Sequence, residues 1–222
     1  MKGLVLGSCR VLYPMSCSKR AEDLVNVPKK RWIGRHHSAR QIAEIVESLA
    51  GDTEITSGTF ACGAEARVFR AVQKMENIRK SFKDVSFLVV EVCSLKTPLS
   101  GTKTLHFQHP EATQKCSVET QEELVANIQR ILKAVGSDRR VLFVSHFMHA
   151  RIANRERIWS ALNQCCAGVA NAAVCRPSDL WNAKSRLQFL KPDEIHYRRD
   201  DGKRVWHSVA AFIDEKLDDL LR

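Results

Sequence analysis

The chain has 222 residues, 44% hydrophobic and 27% charged, a balance that suits one soluble α/β domain and excludes a disordered or fibrous chain. Lys and Arg number 35 against 25 Asp and Glu, and the net charge of +10 favours an anionic partner such as nucleic acid, an acidic glycan or a phosphorylated cofactor like coenzyme A. The 8 cysteines form no CxxC pair or regular framework, which argues against a disulfide scaffold, zinc or any other metal centre and for reduced thiols in a cytoplasmic protein.

Leu4-Val5-Leu6 is an apolar run of the kind that fills a buried parallel strand, and Gly7-Ser8-Cys9 ends it. The run is too short for a signal-peptide core, and no later stretch reaches the roughly 18 apolar residues of a membrane span. Residues 11–27, with Pro14, read as a short helix or an irregular loop. A basic turn from Pro28 to Arg31 precedes a candidate short strand at Trp32-Ile33. Ser38 is placed to cap a helix, since Ile42, Ile45, Val46 and Leu49 follow at helical spacing and Gly51 stops them. After a polar loop at 51–63, helical spacing returns over 64–82.

Phe87 to Val92 is the strongest strand signal, short and almost wholly apolar, and it breaks into Cys93-Ser94. Residues 97–117 read as loop. Ser117 or Thr120 can cap the next helix, which carries Leu124, Ile128, Ile131 and Leu132 and ends near Gly136. Val141 to Val144 is another buried-type strand, 155–166 is helical, and 169–174 is the last strand. Val205, Val209, Phe212, Ile213, Leu217 and Leu220 share one face of a final helix. Strands alternating with helices predict an α/β three-layer sandwich, a central and mostly parallel sheet flanked by helices, in one domain over 1–222.

A strand that stops at Gly-Ser delivers Ser8 to the carboxyl edge of the sheet, where open α/β folds bind ligands. A serine there needs a base, and a base works best with a third group fixing its tautomer. Asp193 and His196 are three residues apart on the loop between the last strand and the last helix, on the edge that also carries Ser8. Arg35, His36, His37 and Ser38, ahead of a helix N-terminus, form a candidate anion site. His106 and His109 lack acidic partners at ligand spacing and read as surface residues. The basic clusters lack aromatic residues to stack bases, which argues against nucleic acid.

Gly7-Ser8-Cys9 closing the first strand, with Asp193-Glu194-Ile195-His196 before the last helix, resembles the SGNH hydrolase superfamily and most of all its GSCFA branch. Val144-Ser145-His146-Phe147-Met148-His149, followed by Asn154 and a helix, is similar to that branch's V-S-P-V-x-H segment, and Arg186 to Phe189 is similar to the stretch before its D-x-x-H. The resemblance covers both ends of the chain and its third quarter. It implies Ser8 as nucleophile, His196 as general base and Asp193 as the residue orienting His196. The Ser8 backbone N–H would belong to the oxyanion hole, beside Cys9 and Arg10.

The superfamily's glycine after the second motif strand and its asparagine after the third are absent here. Cys93-Ser94 and Ser145-His146 stand in those places, so Ser94, Ser145, His146, His149 or Asn154 would supply the missing donors. The expected function is serine-dependent acyl-ester chemistry, as esterase or O-acyltransferase, on an anionic carbohydrate or polysaccharide precursor. No cofactor is required for hydrolysis, and acetyl-CoA is the acyl donor of the transferase version. Proteins of capsular polysaccharide biosynthesis that bind coenzyme A resemble this scaffold. The alternative is a non-catalytic protein that binds an acidic glycan or another anion on the same scaffold. A partly exposed Ser8 hydroxyl would be removable at a cost within about 1 kcal/mol.

Overall fold

The apolar runs of the sequence become parallel strands whose two faces are both covered by helices, which is why the runs are continuous and not alternating. The computed structural model describes residues 1–27, 35–53, 73, 76–100, 103–105, 116–145, 154–180, 190, 197 and 204–222. In chain order, β1 (Lys2–Leu6) leads into α1 (Cys9–Met15), followed by β2 (Leu24–Val25), α2 (Ala39–Ala50) and β3 (Val85–Val92). Then come β4 (Lys96–Ser100), β5 (Lys103–Thr104), β6 (Cys116–Val118), α3 (Gln121–Val135) and β7 (Arg140–Ser145). The chain ends with α4 (Asn154–Cys166), β8 (Ala172–Cys175), a 3-10 turn at Pro177–Leu180, and α5 (Arg204–Leu221).

The central sheet has the order β2-β1-β3-β7-β8, with every neighbouring pair parallel. Leu4, Leu6, Leu88, Val90, Val141 and Phe143 project to one face, into a core shared with α2, α3, α4 and the helical residues 76–82. Val5, Phe87, Val89, Leu142 and Val144 project to the other, where α1 and α5 cover them. The protein is therefore a three-layer α/β sandwich. Among the described residues no helix is long and apolar enough to cross a membrane.

Local chemistry sets several boundaries. Ser38 caps α2 by accepting from the Gln41 N–H at 3.3 Å, and Gly51 ends it at φ +97°, a left-handed position that favours glycine. Thr120, of the two cap candidates, opens α3 in a reciprocal capping box with Glu123. Pro14 is tolerated inside α1 because the helix is only 7 residues long. Two parts of the topology differ from the sequence expectation. The strand beside β1 is Leu24–Val25, too short to register as a pattern, whereas Trp32-Ile33 lies outside the described residues. The expected loop at 97–117 contains the antiparallel sheet β5-β4-β6, whose strands of 2 to 5 residues, one with Pro98, carry no clear alternation.

The strand order places the functional edge. The chain steps from β1 outward to β2 and then returns across β1 to β3, so helices leave β1 and β3 on opposite faces. In open α/β sheets such a reversal, here at the carboxyl ends of β1 and β3, is where ligands bind. Ser8 follows one strand there, and Cys93 and Ser94 follow the other.

Candidate functional site at the carboxyl edge of the sheet

Gly7 sits at φ +150°, and a Cβ there would lie 2.6 Å from the Glu91 Cβ and 2.7 Å from Val11 Cγ1. Only glycine lets β1 turn this tightly into α1 while its backbone passes against β3. The turn makes Ser8 the N-cap of α1 and buries it to 1% exposure. Its hydroxyl accepts from the Arg10 N–H at 3.2 Å and donates to Glu91 Oε2 at 2.5 Å. The Ser8 N–H donates to the same Oε2 at 2.8 Å, and Arg10 Nε donates to Glu91 Oε1 at 3.2 Å. Glu91, itself 2% exposed, thus holds a serine and an arginine with one carboxylate. Burial opposes the Arg10 charge, but neighbouring Cys93 and Glu91 more than offset it and raise the guanidinium pKa.

This geometry changes the expected role of the Ser8 N–H. It points at Glu91, so it is not a donor awaiting an oxyanion. The N–H groups of Cys93 and Ser94 are likewise engaged, both donating to the His37 carbonyl at 2.9 Å. The Ser94 hydroxyl accepts from the Lys96 N–H at 3.0 Å, and Ser145 is buried at the end of β7, opposite Val92. Asn154 opens α4 on its exposed side, while the next residue, Arg155, is buried to 4%. Cys9 is half-buried at the start of α1. Burial and then Glu91 push the Cys93 thiol up to about 12, so it remains protonated at neutral pH. Ser8 is also more tightly held than a partly exposed hydroxyl, and its removal costs correspondingly more.

The Arg35 to Ser38 segment threads along the same edge, with the His36 N–H donating to the Gly7 carbonyl at 3.0 Å. Its anion-binding capacity as a helix N-terminus is already used internally. Ser38 Oγ accepts from Gln41 N and from Thr97 Oγ1, and the Glu119 carboxylate accepts from Arg40 N at 2.8 Å. Arg35 leans over the Tyr13 ring and donates to its hydroxyl at 3.3 Å, and Tyr13 stacks on Trp206 of α5 with centroids 5.0 Å apart. His36 is fully buried. His37 is half-buried, and burial, followed by the charges of Arg10 and Arg35, lowers its pKa to about 4.

Asp193, His196, His146 and His149 lie outside the described residues. Their described neighbours bear on the same edge. Leu190 and Tyr197 form an isolated antiparallel bridge, and both are buried in the core beneath α5. Burial, then the charge of Glu91, raises the Tyr197 pKa, while Arg10 pulls it the other way. The residue that follows His196 in the chain is therefore packed in the same core as Val11 and Leu12, which follow Ser8 in α1.

Two participants escape a reading of the sequence as a sequence. Glu91 sits in the strongest apolar strand, and the signal was available: a lone carboxylate in a buried strand must find a partner. Arg155 is one of three arginines at 151–157, and only the fold shows that its side chain is buried. No protein-family model matches the chain, and no curated protein matches it.

Proposed function

We propose that the protein performs serine-dependent acyl-ester chemistry, with Ser8 as nucleophile. The observation that carries this reading is the meeting of the chain's two ends. Tyr197, directly after His196, is buried in the same core as Val5, Val11 and Leu12, the apolar residues that flank Ser8, whose hydroxyl and N–H are bound to Glu91 at 2.5 and 2.8 Å. In this reading the Ser8 hydroxyl turns its proton from Glu91 Oε2 to His196, which Asp193 orients, and Oγ attacks an ester or thioester carbonyl as His196 takes that proton. The leaving group takes that proton as the acyl–enzyme forms. Water or a sugar hydroxyl then receives the acyl group, giving an esterase or an O-acyltransferase. Acetyl-CoA enters the transferase version as a substrate. The carbohydrate substrate class follows from the resemblance to GSCFA-like proteins.

Glu91 has two tasks here. Its Oε2 holds the Ser8 hydroxyl at the carboxyl edge of the sheet, and its Oε1 holds Arg10. Because the Ser8 N–H is bound to Glu91, the developing oxyanion draws on the Arg10 charge more than on that backbone donor. Losing one such donor typically costs about a hundredfold to a thousandfold in rate.

A second reading is a non-catalytic binding protein. It is favoured by the complete internal satisfaction of Ser8, whose hydroxyl both caps α1 and donates to Glu91. Labelling with a fluorophosphonate serine probe separates the two. The expected result is a modified peptide carrying Ser8 in the wild type and no modification in Ser8→Ala or His196→Ala. A folded wild type that takes no label refutes the nucleophile and leaves the binding reading.

A further inference from the structure

Away from Ser8, a cluster of charged side chains lines a cavity of about 390 Å³ between α2 and α3. Arg40 and Glu44 come from α2, Glu123, Asn127 and Arg130 from α3, and Glu119 from the residue before the α3 cap. Both guanidinium groups are engaged with carboxylates. Arg130 forks onto Glu47 of α2 through Nε at 2.8 Å and Nη2 at 2.7 Å, and its Nη1 donates to the Asn127 side chain at 2.7 Å. Arg40 pairs with Glu44 at 3.7 Å, and Glu44 also accepts from the Thr104 hydroxyl. Glu119 and Glu123 are left with no ion pair among the described residues.

Each of these two carboxylates gives one oxygen to a helix end. Glu119 Oε1 accepts from the Arg40 N–H at 2.8 Å and from Asn127 Nδ2 at 3.4 Å, and Glu123 Oε2 accepts from the Thr120 N–H at 2.8 Å. Glu119 is 2% exposed, and its Oε2 is buried with no hydrogen-bond partner. Thr97, close enough to favour the carboxylate charge, donates its hydroxyl proton to Ser38 Oγ at 2.6 Å. A buried acceptor without a donor is costly, and an N–H group that reaches it recovers that free energy. Burial pushes the Glu119 carboxyl up to about 7 although the Arg40 N–H favours its charge, the mark of a carboxylate with too little around it to hold it ionised.

Four carboxylates against two guanidinium groups leave two negative charges to be matched. Among the described residues no three His, Cys, Asp or Glu side chains converge as metal ligands, so one compact ion does not gather these groups. Ammonium groups on a flexible chain reach each carboxylate separately, and each offers three N–H donors. We propose that this cavity binds a small organic dication, a diamine or short polyamine, with one ammonium group on Glu119 and the other on Glu123. The site stands apart from the acyl-ester reading, and the failure of either leaves the other untouched.

Calorimetric titration of the full chain with putrescine at constant ionic strength tests it. One putrescine should bind saturably per chain, and butylamine, with a single ammonium group, should bind about tenfold more weakly. Glu119→Gln keeps an acceptor for the Arg40 N–H but removes the charge, and it should weaken putrescine about tenfold. Glu123→Gln, at an exposed position, should weaken it severalfold and decides the matter if Glu119→Gln does not fold. Glu215→Gln, an exposed change on α5, should leave binding unaltered. The charged groups around Glu119 are Arg40, Glu44 and Glu47 on α2, Glu123 and Arg130 on α3, and Lys96 where β4 pairs with β6. Binding ionises Glu119, so putrescine should bind more tightly at about pH 8 than at about pH 6, and Glu119→Gln should lose most of that difference. No saturable binding, equal affinity for butylamine, or equal affinities in Glu123→Gln and Glu215→Gln overturns the site. Displacement of putrescine by a lower concentration of magnesium also overturns it, since the site would then belong to a metal ion.

Discussion

Replacing Glu91 by Gln keeps the size of the side chain and removes its charge. In the native structure that charge accepts from the Ser8 N–H at 2.8 Å, the Ser8 hydroxyl at 2.5 Å and Arg10 Nε at 3.2 Å, at a position 2% exposed to solvent. A hydrogen bond to a charged group contributes about 1.5–3 kcal/mol, and breaking a buried ion pair from one side costs about 3–5 kcal/mol because the remaining charge is stranded. Glutamine still offers one oxygen to Ser8, but its NH2 group would face Arg10 Nε, donor against donor. A loss of about 3 kcal/mol is expected. For a chain of this size it lowers the unfolding midpoint by roughly 6–12 °C, and a stability reserve of about 5–15 kcal/mol keeps the variant folded. Urea denaturation of wild type, Glu91→Gln, Ser8→Ala and the double variant closes a cycle. Its coupling energy should be about 1–3 kcal/mol, since Ser8→Ala removes the hydroxyl that Glu91 accepts. A Glu91→Gln change below about 0.5 kcal/mol, or a coupling energy near zero, would refute the idea that the carboxylate organises this edge.

Two other perturbations follow from the same geometry. Gly7→Ala places a methyl group against Glu91 and Val11 at a φ of +150°, and overpacking plus backbone strain should destabilise the fold by about 2–6 kcal/mol, read from the denaturation midpoint. The pH dependence has two opposed contributions. His37 is lowered from 6.5 to about 4, so the stability it contributes is present above pH 6.5 and is lost as pH falls toward 4. Burial raises Glu119 from 4.5 to about 7, so its contribution is present below pH 4.5 and is lost as pH rises through 7. Each amounts to about 3 kcal/mol, and they cancel between pH 4.5 and 6.5. Relative to wild type, His37→Gln should lose stability with rising pH across that window and Glu119→Gln should gain it. Parallel curves for all three proteins would refute both assignments.

Much of the architecture was legible in local pattern. Leu4 to Leu6, Phe87 to Val92 and Val141 to Val144 read as buried strands because a parallel sheet covered on both faces needs apolar residues at every position. Ser38, Gly51 and Gly136 read as helix ends because capping is decided within a few residues. The serine at the end of β1 was legible for the same reason: Gly7-Ser8 is a local turn signal. Strand β2 and the β4–β6 sheet were not. Their few residues carry too little periodicity, and they are held by register with partners distant in the chain.

The sequence by itself therefore determined the layers, the parallel sheet and the edge on which Ser8 emerges, since periodicity and turn chemistry are properties of short segments. Only the tertiary structure decided what Ser8 touches. Glu91 is 83 positions away in sequence, on a strand that the sheet order sets beside β1. A buried carboxylate or guanidinium must be matched by its neighbours in space, and those neighbours are chosen by strand order and helix packing, which no local pattern records.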